Sequence, residues 1–292
     1  MAPEISTVAV LGAGTMGRGI AHVSALAGYT THLYDPFPEA LKKAESTIHR
    51  NLAKGVELGK VASDLAERTR GLLNLEEDLA GAVREADLVI EAVPEDMALK
   101  IRTFKEVVAN CPEHALLASN TSALSITEMA AATGRADRFA GMHFFNPVHV
   151  MKLIELVRGL ETSQETLDAL LAVGVRMGKE MVTVNESPGF VTSRINALIG
   201  NEAFRMLQEG VASAEDIDKA LKLGLNHPMG PFEMVDLVGL DVRLSILEFL
   251  HRTLGEAYRP NTLLVQHVKA GRLGRKVGRG VYDYNEQGER VK

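Results

Sequence analysis

The chain has one cysteine, no surplus of positive charge, no membrane-length apolar run and no internal repeat. A single cysteine, Cys111, excludes an internal disulfide framework and suits a reducing compartment. It stands just before Pro112 with no local positive charge evident in the sequence, and reads as structural. Acidic side chains outnumber basic ones, 38 to 32, for a net charge of −6, which argues against a nucleic-acid partner. The apolar run at residues 8–11 is too short for the core of a signal peptide. Nothing approaches the roughly 20 apolar residues that span a bilayer. The expected location is therefore the cytoplasm, with no membrane partner. No Cys/His spacing suggests a metal, and none is expected.

What is present begins at residues 7–11, TVAVL, a β-branched run that suits a buried parallel strand. It leads into Gly12-Ala13-Gly14-Thr15-Met16-Gly17 and then a helical segment at residues 18–27. A G-x-G-x-x-G between strand and helix is where a dinucleotide-binding unit needs it. The first glycine permits the turn, the second lets a pyrophosphate approach the backbone, and the third lets helix and strand pack closely. The helix N-terminus adds unpaired N–H groups for the phosphates. A second apolar run, residues 30–34, ends in Asp35, 18 residues after Gly17. A carboxylate there can accept the ribose hydroxyls of NAD and repels the extra phosphate of NADP. The expected cofactor is NAD, and the alternative is a plain glycine-rich turn.

Residues 36–70 are polar and helical, too long for one crossover helix, and read as a helical hairpin. Lys42, Lys43, Lys54 and Lys60 stand along it, as a solvated face or as contacts to an anionic substrate tail. Strands are expected at residues 87–93, 115–119, 139–143 and 181–184. Glu95 and Lys100, Ser122 and His143 then lie near the carboxyl ends of strands, the edge where open α/β sheets bind ligands. Ser122 can cap the helix beginning near Ile126 or present its hydroxyl to a ligand. His143 precedes Phe144-Phe145-Asn146-Pro147, and Glu155 follows it by 12 residues, enough for a strand to end, turn and return antiparallel. Such a return brings the Glu155 carboxylate to one imidazole nitrogen and turns the other towards a substrate. The plainer possibility is two neighbouring residues without chemistry. Beyond residue 185 only helical periodicity is found, at 191–208, 214–221 and 232–254, closed by a basic, glycine-rich segment at 271–284. The fold expected is α/β, a Rossmann-type, mostly parallel doubly wound sheet carrying the hairpin, over residues 1–185. An all-α domain follows over 186–292.

With these residues laid out, the chain resembles the L-3-hydroxyacyl-CoA dehydrogenase family along nearly its whole length, nearest its bacterial 3-hydroxybutyryl-CoA branch. The matching stretches are GAGTMG (12–17), EAVPED (91–96), SNTSALSI (119–126) and HFFNPVHVMKLIELV (143–157). ESPGFVTSR (186–194), GLNHPMGPFEMVDLVGLD (224–241) and GRKVGRGVYDY (274–284) complete the set. The resemblance implies NAD-dependent oxidation of a short (S)-3-hydroxyacyl-CoA, with His143 as general base and Glu155 as its partner. It implies that Ser122 meets the reacting hydroxyl and that Asn146 holds the acyl part and the nicotinamide end. Glu95, Lys100 and Lys276 would serve the cofactor, and the hairpin, Lys54 included, would meet coenzyme A. Many members carry asparagine where this chain has Ser193, so that contact with the acyl portion is shortened or replaced by water. A homodimer through the C-terminal domain fits both the resemblance and that domain's long apolar faces. Competing readings are a dehydrogenase of a hydroxy acid without coenzyme A, of the carnitine or gulonate kind, and a non-catalytic NAD-binding protein like the lens crystallins of this lineage.

Overall fold

A computed structural model describes residues 5–291, and the chain divides into two compact units between Ser187 and Pro188. The first unit opens with β1 (Thr7–Leu11), α1 (Thr15–Leu26) and β2 (Thr30–Tyr34). The helices α2 (Pro38–Glu57) and α3 (Ser63–Gly71) follow, then β3 (Leu73–Glu76), α4 (Leu79–Val83) and β4 (Leu88–Glu91). Next come α5 (Met97–Asn110), β5 (Leu116–Ser119), α6 (Ile126–Ala131) and β6 (Phe139–Phe144). β7 (Leu153–Arg158), α7 (Gln164–Arg176) and β8 (Glu180–Asn185) close it.

The eight strands form one sheet in the order β3-β2-β1-β4-β5-β6-β7-β8. All neighbours run parallel except β6 and β7. β4 and β5 are buried throughout and β1 nearly so, as their continuous apolar runs require when helices cover both faces of a sheet. Residues 36–70 form two helices. On α2, Leu41, Ala44, Ile48 and Leu52 recur every three or four residues and are buried, while the lysines between them face outward. Each large apolar side chain buried this way stabilises by about 2 kcal/mol. Gly59, in the left-handed region at φ 66°, turns the chain towards α3.

The second unit is helical: α8 (Thr192–Gln208), α9 (Ala214–Gly224), α10 (Pro231–Val238), α11 (Leu240–Leu254) and α12 (Thr262–Lys269). Its core gathers Phe204, Phe232, Val235, Leu247, Leu250 and Leu264, with the Phe204 and Phe232 rings edge to face at 5.2 Å. The apolar periodicity at 232–254 reads as one helix in sequence but is broken at Gly239, whose φ of 106° no helix accommodates. Both α10 and α11 keep the same apolar stripe, so periodicity alone does not see the break. The basic segment at 271–284 is held against the helices. Asp236 accepts hydrogen bonds from the Val281 and Tyr282 amides at 2.8 and 2.9 Å and from the Tyr284 hydroxyl at 2.8 Å. Among the described residues no helix is long and apolar enough to cross a membrane.

Candidate active site

The first βα turn builds a groove. Gly12 has φ 101°, and a Cβ there would stand 2.8 Å from the Ala92 carbonyl oxygen, so neither the conformation nor the space admits a side chain. A Cβ on Gly17 would overlap the Gly12 carbonyl, which fixes how closely α1 approaches β1. At Gly14, by contrast, a Cβ would meet nothing within 4 Å, so the backbone there is open to a ligand. No side chain caps α1 at Gly14, and the helix begins with amide groups and the positive end of its dipole.

Gly12 and Gly14 open on a cavity of about 820 Å³, also lined by Thr15, Met16, Asp35, Ala92 and Val93. That volume lies in the range of ligand sites, roughly 300–1,000 Å³. Asp35, at the end of β2, anchors the turn: its carboxylate accepts the Ala13 amide at 2.8 Å and the Phe37 amide at 3.0 Å. An open glycine turn, an uncapped helix and a carboxylate on the rim fit a dinucleotide with free ribose hydroxyls.

The second group lies farther along the same sheet. β6 and β7 pair antiparallel with His143 directly opposite Glu155, so both side chains leave the same face. His143 Nδ1 lies 2.7 Å from Glu155 Oε2. Both are buried, at 6 % and 1 % exposure. An ionised carboxylate only accepts, so Nδ1 carries the proton and Nε2 is the nitrogen with a lone pair. The Phe145 ring packs 4.5 Å from the imidazole, and Asn120 Oδ1 accepts the Phe144 amide at 2.9 Å, tying the end of β6 to the turn after β5.

Ser122 sits in that turn, half-buried. The cap of α6 is made by Ser125, whose hydroxyl accepts the Glu128 amide, and not by Ser122. Glu95 accepts the Thr121 hydroxyl at 2.6 Å and the Ser122 amide at 2.9 Å, so its placement serves the turn. Lys100 differs from its reading as a cofactor-lining residue. It is 1 % exposed and gives its ammonium to Glu91 at 2.6 Å, Glu95 at 3.2 Å and the Val93 carbonyl at 3.3 Å. Its neighbour Leu99 lines the cavity instead. The reason is helical geometry: one step along α5 is a rotation of about 100°, which carries residue 100 inward. Burial pushes the Glu91 carboxyl up, against the Lys100 charge and donors from Ser119 and Val93. Sequence reasoning gave Glu91 no role, although it anchors this buried network. The signal available was an acidic residue ending an otherwise apolar strand.

Asn146 is exposed, precedes a cis Pro147, and lines a separate cavity of about 200 Å³ with Thr15, Arg18, Asn51 and His149. Lys54 is solvent-exposed and paired with Glu57 at 3.1 Å. Ser193 and Lys276 belong to the second unit. Ser193 is half-buried on α8, and Lys276 contacts both carboxylate oxygens of Asp241 at 2.6 Å. Cys111 has a cation beside it that the sequence does not reveal, Arg135 at 3.2 Å, yet burial outweighs that charge and pushes the thiol up.

Comparison with known proteins agrees with this geometry. Residues 7–187 match the family model for the 3-hydroxyacyl-CoA dehydrogenase NAD-binding domain, and residues 189–284 match that for its C-terminal domain. A probable 3-hydroxybutyryl-CoA dehydrogenase of Bacillus subtilis is 48 % identical over 97 % of this chain and 99 % of its own. The mitochondrial hydroxyacyl-coenzyme A dehydrogenase of Sus scrofa is 40 % identical over 96 % of this chain and 91 % of its own. The crystal structure of (S)-3-hydroxybutyryl-CoA dehydrogenase from Ralstonia eutropha superposes with a TM-score of 0.93 at 43 % identity, covering 97 % of this chain and all of that one. A glycine turn and rim carboxylate on one side, a carboxylate-held histidine on the other, and two consecutive domain models together place this chain in the 3-hydroxyacyl-CoA dehydrogenase family.

Proposed function

We propose that the protein oxidises short (S)-3-hydroxyacyl-CoA thioesters, 3-hydroxybutyryl-CoA foremost, to the 3-oxoacyl-CoA with NAD, reversibly. The observation that carries this reading is the buried His143–Glu155 pair at 2.7 Å, on the sheet whose first turn forms the dinucleotide groove. Bound NAD supplies the acceptor for the hydride leaving C3. His143 takes the 3-hydroxyl proton on Nε2. Glu155, already bonded to Nδ1, holds the ring in that tautomer and stabilises the imidazolium that results. In the reductive direction the same imidazolium returns the proton to the forming alkoxide. Ser122 donates to the substrate oxygen, and Asn146 holds the acyl part beside the nicotinamide end.

Asp35 receives the adenosine ribose, with Gly12 to Gly17 around the pyrophosphate, so NAD is taken over NADP. Glu95, Lys100 and Lys276 support the cofactor, the first two from behind the Ser122 turn. Ser193 meets the acyl portion, and the α2–α3 hairpin, Lys54 included, meets coenzyme A. The second unit is the substrate and dimerisation domain. Exposed Val191, Ile195, Leu237, Val238 and Val242 support a symmetric dimer through it. A reduced cytoplasm suits the single cysteine.

The test is NADH consumption with acetoacetyl-CoA, run beside free acetoacetate and dehydrocarnitine and repeated with NADPH. Turnover confined to the thioester and NADH supports the assignment. Turnover confined to a free acid moves the protein to the carnitine- or gulonate-type reading, and tight NADH binding with no turnover moves it to the crystallin-like one. A monomer at micromolar concentration would remove the dimer.

A further inference from the structure

Glu91 ends β4 in the middle of the sheet, between Leu11 of β1 and Ser119 of β5, and is fully buried. An aliphatic side chain fits such a position without the desolvation cost of a carboxylate, which is several kcal/mol per ion. Both of its oxygens are used. Oε1 accepts the Lys100 ammonium at 2.6 Å and the Val93 amide at 2.7 Å, and Oε2 accepts the Ser119 hydroxyl at 2.6 Å.

Two arms lead from there to one turn. In the shorter, Ser119 Oγ accepts the Thr121 amide at 3.2 Å. In the longer, Lys100 passes the contact to Glu95 at 3.2 Å, and Glu95 holds the Thr121 hydroxyl and the Ser122 amide. Thr121 Oγ1 then accepts the Leu124 amide at 2.9 Å, which closes the turn. An ammonium has three N–H donors, and Lys100 has three acceptors around it: Glu91, Glu95 and the Val93 carbonyl. The Val93 bond also fixes the wall of the dinucleotide groove, since Ala92 and Val93 line it against Gly12.

We propose that Glu91 is a positioning residue for the reaction: through Lys100 and Glu95 it locks the Ser122 turn to the wall of the cofactor groove. The inference rests on the reading of Ser122 as the residue that meets the substrate oxygen. A buried ion pair serving only the fold ends in the core. This one ends on Glu95, whose side chain is 44 % exposed, and on the Ser122 amide.

Three variants separate positioning from folding, each followed by steady-state kinetics and by hydrogen exchange of the substrate-free protein over residues 119–124. Glu91→Gln keeps the shape but removes the charge that orients Lys100. Its expected signature is faster exchange confined to that turn, with kcat down on the order of 10²-fold, the scale of a small misplacement of a reacting group, and KM for NADH changed far less. Glu91→Leu with Lys100→Met replaces the pair by apolar groups of similar volume, which keeps or raises the melting temperature while kcat stays low. Glu95→Gln, at the exposed end where folding is not at stake, reproduces the local exchange signature in milder form. Wild-type kcat in the apolar double variant, or unchanged exchange at 119–124 in Glu95→Gln, overturns the proposal. If the wild-type protein does not turn over acetoacetyl-CoA, the activity reading fails, while the exchange measurements, which need no substrate, still decide the positioning role.

Discussion

Buried charge is used differently in the two units. In the first, Glu91 ends β4 and His143 stands next to the end of β6, each held by a buried partner, Lys100 and Glu155, and the Glu91 network runs on through Glu95 to the Ser122 turn. In the second, the buried carboxylates turn inward on the chain. Asp236 holds the amides and hydroxyl of residues 281–284, and Asp218 takes the Phe232 amide and the Tyr282 hydroxyl, each at 2.8 Å. The first pattern suits preorganisation for the proposed chemistry, whereas the second ties a C-terminal segment, whose Tyr282 and Tyr284 belong to the helical core, to Asp218 and Asp236. Substitution of the first should cost catalysis, and of the second, stability.

The largest expected effect tests the first half of that statement. His143→Gln should lower turnover at least ~100-fold and as far as ~10⁴-fold, the span for loss of a general base, with NADH affinity nearly unchanged. Stopped-flow turnover and fluorescence titration of NADH measure the two separately. Turnover within a few fold of wild type would remove His143 from the mechanism and dissolve the contrast between the units.

Asp236→Ala tests the other half. It leaves two amides and a buried tyrosine hydroxyl without their acceptor, at a cost of about 1–3 kcal/mol for each unsatisfied group. A total loss near 4 kcal/mol should appear in urea unfolding. A loss under about 1 kcal/mol would mean that water replaces the carboxylate readily and that the segment at 271–284 is held by other contacts.

His22 departs from the first unit's pattern, and that exception is itself testable. It is buried on α1, its Nδ1 without a hydrogen-bond partner among the described residues, and stacked on His149 at 5.7 Å. Burial first, then the His149 and Lys179 charges, lower it from the usual 6.5 to about 4. Between those values the unfolded chain binds the proton and the folded one does not, so stability falls as pH drops from about 6.5 to about 4 and this contribution is flat below. The full difference is about 3 kcal/mol as an upper figure. Unfolding free energies of wild type and His22→Leu across that window should diverge towards acid, the variant losing less. Parallel curves would show that His22 stays solvated or finds a partner in solution.

The sequence carried the first βαβ unit and the His143–Glu155 geometry because both are set by short-range spacing: a glycine turn between strand and helix, and 12 residues around a strand reversal. It did not carry the Glu91–Lys100 pair. A lysine one step past an apolar residue reads as outward until the rotation of α5 is known, and a glutamate ending an apolar run reads as rim rather than core. The break at Gly239 was hidden for a related reason, since two helices in line share one periodicity. Strand β3, LNLE, is four residues of mixed polarity, too short to register. The lock on Asp236 joins residues 45 to 48 positions apart, which no local pattern records.

Arg243 is the second unit's own exception and offers the smallest and sharpest test. It is 2 % exposed, and no acceptor for its Nε is found among the described residues. Burial lowers it from its ordinary value to about 10, which leaves it charged at neutral pH. It packs beside Gly200 of α8, where a Cβ would make ordinary contact with the Arg243 Nε at 3.7 Å and press on Val235 at 3.0 Å. A cation with no carboxylate paired to it among the described residues carries its desolvation cost with little Coulomb return, and apolar replacement of buried charge is commonly neutral or stabilising by about 1–4 kcal/mol. Arg243→Met, which keeps the length of the stem, should therefore raise stability by about 1 kcal/mol at the low end of that range, seen as a higher urea midpoint at constant slope. A fall in stability would mean that the guanidinium has an acceptor in the assembled protein. The second unit would then resemble the first, with a buried charge directed to a contact beyond its own core.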